Sequence, residues 1–152
     1  MSMFHSMNVT SSALTAQRLR MDVVSSNMAN MESTRAKMVD GQWQPYQRKS
    51  VVLQPKQGPF SSFLNQAIGK QPHAAGSGVK VTKIVEDEAT PPKLIYDPSH
   101  PDANEEGYVQ MPNVDPLREM VDLMSATRSY EANVTVLNAS KAMMMKALEI
   151  GK

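Results

Sequence analysis

Residues 115–151 read DPLREMVDLMSATRSYEANVTVLNASKAMMMKALEIG. Asp115 is a good helix N-cap, because its carboxylate can accept an orphan N–H of the first turn. Pro116 suits the first helical position, where its missing N–H would have been unpaired anyway. No proline or glycine then interrupts the chain until Gly151, which stands where a left-handed residue commonly closes a helix. The stretch predicts one helix over 116–150, about 52 Å long. Within it Met120, Leu123, Thr127, Tyr130, Val134, Leu137, Lys141, Met144 and Leu148 recur at alternating spacings of three and four. That is a coiled-coil seam with two polar interruptions, Thr127 and Lys141.

The other end of the chain has a matching pattern. Leu14, Met21 and Met28 recur every seven residues, Met7 extends the series, and Val24 falls three after Met21. Ala13, Ala16 and Val23 widen the stripe, so a first helix is expected over about 8–30, with Ser11 or Ser12 placed to cap its start. Everything that breaks helices lies between. All ten prolines fall between Pro45 and Pro116, and six of the seven glycines between Gly41 and Gly107. The thirteen methionines do the reverse, with none between Met38 and Met111. The middle, 31–114, holds six of the eight aromatics: Trp43, Tyr46, Phe60, Phe63, Tyr96 and Tyr108. Runs at 49–54, 79–85 and 93–96 read as strands, 60–68 as a short helix and 69–78 as a loop.

The expected fold class is therefore α+β. A helix lies in 1–30, a small β-rich and loop-rich region fills 31–114, and a helix runs through 115–152, pairing with the first. Chain ends fray unless something ties them down. Apolar ends suggest pairing with each other, with other subunits, or both. The candidate interface residues are Leu14, Met21, Val24 and Met28 at one end, and Met120, Leu123, Tyr130, Val134, Leu137, Met144 and Leu148 at the other. Methionine adapts its shape and suits surfaces that meet several non-identical neighbours, although at helical spacing it also serves as ordinary core.

Several function classes find no support. The net charge of +1 gives no field for nucleic acid or an anionic membrane. The absence of cysteine excludes disulfides and thiolate chemistry. No apolar run approaches the ~20 residues of a membrane span, and residues 1–10 lack the pattern of a cleavable secretory signal. His5, His73 and His100 are far apart, so no metal site or cofactor is expected. Glu86-Asp87-Glu88 and the Asp102, Glu105, Glu106 group lack the oxygen pattern of a calcium loop and read as solvated turns. No serine sits in a nucleophile elbow, and no glycine-rich phosphate loop exists. Two glycosylation-like triplets, at Asn8 and Asn133, lie in helical segments and read as chance.

The terminal segments carry a resemblance. Ser12-Ala13-Leu14-Thr15-Ala16-Gln17-Arg18-Leu19-Arg20-Met21, followed by Ser25-Ser26-Asn27-Met28-Ala29-Asn30, resembles the N-terminal motif of flagellar rod, hook and hook-associated proteins. Tyr96-Asp97-Pro98-Ser99-His100-Pro101-Asp102-Ala103 and Gly107-Tyr108-Val109-Gln110-Met111-Pro112-Asn113-Val114-Asp115 look like the proximal-rod branch of that family. Glu119-Met120-Val121-Asp122, the segment Arg128-Ser129-Tyr130-Glu131-Ala132-Asn133-Val134, and 143–151 are similar to its C-terminal helix. The match covers nearly the whole chain and is weakest over 58–78.

The resemblance implies a non-enzymatic structural subunit of the basal-body rod, with Asn27, Asn30, Arg128, Ser129, Tyr130 and Asn133 as motif positions. It implies terminal helices in a coiled-coil layer with neighbouring subunits and an outer β-rich part. Its partners would be itself, other rod proteins and the flagellar type III export apparatus, with no nucleic acid and no membrane span. Export would occur unfolded, without signal cleavage, to the basal body. The competing reading is a soluble helical binding module unrelated to motility, whose terminal helices close on each other as an ordinary bundle and give a stable monomer.

Overall fold

In the computed structural model, which describes residues 4–39, 41–56, 68 and 77–150, one long helix precedes and another follows six short strands along the chain. Helix α1 spans His5–Ala29 and helix α2 Pro116–Ile150. Between them lie β1 (Lys37–Val39), β2 (Gln42–Gln44), β3 (Lys49–Pro55), β4 (Val79–Glu86), β5 (Lys93–Tyr96) and β6 (Tyr108–Met111). The fold class is α+β. The expected short helix over 60–68, most of the loop over 69–78 and the closing Gly151 lie outside the described residues.

The start of α2 follows from its sequence. Leu117 N donates to Asp115 Oδ1 at 3.1 Å and Glu119 N to Asp115 O at 3.0 Å, so Asp115 caps and Pro116 occupies the first turn. The start of α1 differs from expectation, because the helix begins at His5, a full turn or more ahead of Ser11 and Ser12. Ser12 is inside the helix, and its hydroxyl serves a tertiary contact instead. It donates to Val9 O at 2.6 Å and accepts from Val79 N at 3.1 Å.

The strands form three separate antiparallel or paired ribbons, β1-β2, β3-β4 and β5-β6. Lys37 faces Gln44 and Met38 faces Trp43 in the first; Lys93 faces Met111 and Tyr96 faces Tyr108 in the third. The Tyr96 and Tyr108 rings meet edge to face, with centroids 5.3 Å apart. Gly107 has φ of 80°, and a Cβ there would lie 2.9 Å from the Tyr96 ring, so only glycine admits this pairing. Two-stranded ribbons are marginal in water by themselves. Something other than sheet pairing must therefore hold them.

The chain resolves into two units. One comprises Met1–Leu19, Val52–Lys83 and Ala126–Lys152; the other comprises Arg20–Val51 and Ile84–Ser125. In the first unit, β4 is anchored to α1 through Ser12. Gly78, just ahead of β4, has φ of 91°, and its O accepts from Lys56 N at 2.8 Å. A Cβ at Gly78 would stand 2.4 Å from Ser12 Oγ, inside any permitted contact. Replacing Gly78 by alanine imposes both a left-handed backbone and this collision. The expected cost is about 2–4 kcal/mol, measured as a lowered urea midpoint of the isolated chain.

Candidate functional site

The second unit is organised around buried polar side chains. Asn27, on α1, is fully buried. Its Nδ2 donates to Lys49 O and to Glu119 Oε2, each at 2.9 Å. Its Oδ1 accepts from Lys49 N at 2.9 Å and from the Tyr46 hydroxyl at 3.0 Å. An amide can make four such bonds, and all four are made here. Glu119, on α2, is also fully buried. Arg48 Nε donates to its Oε1 at 2.5 Å, and Arg48 Nη2 reaches Asp122 Oδ2 at 3.3 Å. Asp122 Oδ1 accepts from Arg20 Nη2 at 2.9 Å. The pairs Arg20–Asp122 and Asn27–Glu119 run in opposite senses along the two helices, so this part of α1 and α2 is antiparallel.

A second amide extends the network to the strands. Asn113 Oδ1 accepts from Arg48 N at 2.7 Å, while its Nδ2 donates to Asp87 O at 2.9 Å and Thr90 O at 3.0 Å. Thus α1, the start of β3, the turn after β4 and the start of α2 share one hydrogen-bonded node. The node supplies what the thin ribbons lack. Its groups are committed to each other, so it holds elements in place. A satisfied buried network rigidifies and specifies one arrangement.

Acidic residues read as solvated turns do local work as well. Asp87 accepts from Ala89 N, Thr90 N and the Thr90 hydroxyl, closing the turn after β4. Asp102 clamps the segment leaving α1. Its Oδ2 accepts from the Thr34 hydroxyl at 2.6 Å, and its Oδ1 accepts from Arg35 Nε at 2.5 Å with Nη2 also on it. The Thr34 hydroxyl, then the Arg35 guanidinium, hold the Asp102 carboxyl below its ordinary 3.8. A lowered value means the folded state takes up this proton less readily than the unfolded one. The clamp is therefore intact above about pH 4 and released as pH falls through the lowered value. Thr34→Val should move the Asp102 titration back up toward 3.8, read from the carboxyl carbon by NMR; an unmoved titration would contradict the clamp.

The sequence-derived interface positions occupy a graded surface. Val24 is buried. Leu14, Met21 and Met28 on α1 are half-buried, as are Leu123, Tyr130, Val134, Leu137 and Met144 on α2. Met120 and Leu148 are exposed. The buried residues of α1 are Thr10, Ala16, Val23, Val24 and Asn27; Thr10 and Val24 adjoin the Leu14, Met21 and Met28 stripe, whereas Ala16, Val23 and Asn27 share a neighbouring face. Among the motif positions, Asn27 is the centre of the node. Asn30 Nδ2 donates to Ser26 O, and Asn133 Nδ2 donates to Ser129 O. Tyr130 is half-buried and Arg128 is exposed.

A second apolar face of α2 escaped the heptad reading. In the second unit Leu117, Val121 and Met124 follow at spacings of four and three, and are 75%, 61% and 52% exposed. In the first unit Val136, Met143 and Ile150 recur every seven residues, and are 52%, 66% and 86% exposed. Each set shares one helix face distinct from the seam. The signal was present in the spacing, but the better-formed seam masked it. Arg48, Glu119, Asp122 and Asn113 had no sequence signal as a group, because their meeting depends on tertiary structure.

The comparisons with known proteins agree along the chain. Residues 7–37 match the family described as "Flagella basal body rod protein", and residues 105–150 match "Flagellar basal body rod FlgEFG protein C-terminal". The chain is 66% identical over 152 residues to the flagellar basal-body rod protein FlgC of Bacillus subtilis (strain 168), with all of both chains covered. It is 45% identical over 161 residues to FlgC of Borreliella burgdorferi, covering 99% of this chain and 98% of that one. It is also 45% identical over 152 residues to FlgC of Escherichia coli O157:H7, with all of both chains covered.

Proposed function

The chain belongs to the FlgC family of flagellar basal-body rod proteins, and we propose that within the rod its two apolar helix faces have separate tasks. It is a structural subunit of the basal-body rod that assembles with other rod components. The observation that carries the division of tasks is the uncovered face of α2 at Val136, Met143 and Ile150. An isolated soluble protein gains nothing from leaving such a row in water. The half-buried seam at Leu123, Tyr130, Val134 and Leu137 pairs helices, with Leu14, Met21, Val24 and Met28 contributed by first helices. The uncovered face meets neighbouring subunits of the same or related chains. Head-to-tail contacts that do not close a ring generate a helical tube.

In this reading the subunit belongs to the proximal rod, where its work is mechanical and non-catalytic. Torque passes along packed helices, and the buried node around Asn27 and Glu119 keeps the strands fixed to them under load. Transit to the basal body runs through the flagellar export apparatus, with the signal lying in the first segment. Deleting residues 3–14 should retain the protein in the cytoplasm. Met143→Asp should leave export intact and block incorporation into the rod. Fractionation of cells and purified basal bodies separates the two outcomes; incorporation of both variants would contradict the assignment.

A further inference from the structure

The net charge of +1 conceals an uneven division. The first unit, residues 1–19, 52–83 and 126–152, holds nine Lys and Arg against two Asp and Glu, a formal +7. The second, residues 20–51 and 84–125, holds seven against thirteen, a formal −6. In the first unit Lys146 pairs with Glu149. Arg18, Lys56, Lys80, Lys83, Arg128 and Lys141 are exposed there and, among the described residues, make no ion pair. In the second unit the buried node and the Asp102 clamp take up Arg20, Arg35 and Arg48, and Lys49 pairs with Glu86. Asp22, Glu32, Glu88, Glu105 and Glu106 stay exposed, again with no ion pair among the described residues. The exposed cations Lys37 and Arg118 offset them only in part.

In each unit such charges adjoin uncovered apolar surface. On α2, Lys146 follows Met143 by three residues, and Arg128 stands about five turns before Lys146 on the same side. Both flank the row Val136, Met143 and Ile150. In the second unit Leu94 and Tyr96 share one face of β5, and Tyr108 lies opposite Tyr96 on that face. The three are 64%, 65% and 41% exposed. Glu105 and Glu106 form the turn that leads into β6. An apolar centre with a polar rim is the ordinary build of a protein interface. Here the two rims have opposite signs. A polyanion, whether a membrane surface or a nucleic acid, would be drawn to the first unit and repelled by the second. A second copy of the chain satisfies both. We propose that the first unit of one copy docks head to tail on the second unit of the next. The Met143 row meets Leu94, Tyr96 and Tyr108, with Arg128 and Lys146 facing Glu105 and Glu106. This rests on the reading of the chain as a rod subunit, and it names the surface of the neighbour that the uncovered α2 face meets. Rim charges of this kind act mainly on encounter and orientation.

Sedimentation velocity of the purified full-length chain reads this contact. At about 10 mM salt, where charges act over roughly 30 Å, the chain should form concentration-dependent oligomers. At about 1 M salt, where the reach falls to roughly 3 Å, their association should weaken about tenfold. At low salt, Arg128→Glu combined with Lys146→Glu should weaken association about tenfold, and Glu105→Lys combined with Glu106→Lys should do the same. An equimolar mixture of the two double variants should associate again, because each supplies the sign that the other lacks. All four positions are exposed, and unchanged urea midpoints will show that the fold is kept. No association of the unaltered chain at low salt overturns the proposal, as does a mixture that associates no better than its parts. Binding to phosphatidylglycerol vesicles tighter than self-association overturns it in favour of a membrane surface. Cells that build normal rods with the Glu105→Lys, Glu106→Lys chain but none with Met143→Asp overturn this pairing while leaving the rod reading intact.

Discussion

Replacing Glu119 by alanine is expected to cost about 3–5 kcal/mol of stability, the range for removing one partner of a buried ion pair. The carboxylate is fully buried and receives both Arg48 Nε and Asn27 Nδ2. Its loss leaves the Arg48 side chain, only 14% exposed, with the longer Asp122 contact alone, and leaves one Asn27 amide donor unpaired. Asn27→Ala should cost a similar amount, because it leaves the Tyr46 hydroxyl, Lys49 N, Lys49 O and Glu119 without their shared partner. The double variant should cost clearly less than the sum of the two, since both changes dismantle one network. Urea unfolding followed by circular dichroism measures all three. Additive losses, or a Glu119→Ala cost below about 1 kcal/mol, would mean the node does not hold the second unit together. The surface pair Lys49–Glu86, 3.7 Å apart and well exposed on both sides, is the internal control. Breaking it should cost no more than about 1 kcal/mol.

The second large effect is on assembly and not on folding. Met143 is 66% exposed in the free chain, so Met143→Asp should change its stability by no more than about 0.5 kcal/mol. On the proposed assembly that side chain is covered in the rod. Withdrawing a methionine from an apolar contact forfeits about 1.5–3 kcal/mol, and a buried unpaired carboxylate adds a further penalty. The same contact recurs in every copy, so the losses accumulate along the assembly. Cells carrying Met143→Asp as their sole copy should be non-motile and yield no rods, while the purified chain unfolds at the normal urea midpoint. Normal swimming would show that this face looks into solvent.

The helices were legible because their signals are local. Asp115, Pro116 and an uninterrupted run to Ile150 define α2 without any knowledge of the remainder. The strands at 49–55, 79–86 and 93–96 stood out through their β-branched and apolar residues. β1, β2 and β6 did not, for physical reasons. β1 and β2 have three residues each, and the sequence QWQ of β2 has no apolar alternation to read. They form because a turn at Gly41, with φ of 80°, brings them side by side.

The polar node was out of reach for a different reason. Asn27, Arg48, Asn113 and Glu119 lie in four separate segments, and each alone looks like an ordinary surface residue. Asn27 was singled out through resemblance to a motif, not through any property of its neighbours in sequence. Ser12 shows the opposite failure. Its local role as a cap was plausible, but a tertiary partner, Val79 N, claims the hydroxyl. The second apolar face of α2 was written in the spacing of Val136, Met143 and Ile150. It was passed over because a helix is usually read for one buried stripe, and a subunit packed on more than one side needs two.

A cryo-EM reconstruction of purified basal bodies containing this chain, at a resolution that places side chains, tests the central claim most directly. The account predicts that Val136, Met143 and Ile150 of each copy lie in van der Waals contact with a neighbouring rod subunit, with the seam from Leu123 to Leu137 packed against helices. A map in which those three side chains face open solvent, with neighbours held elsewhere on the chain, would contradict it.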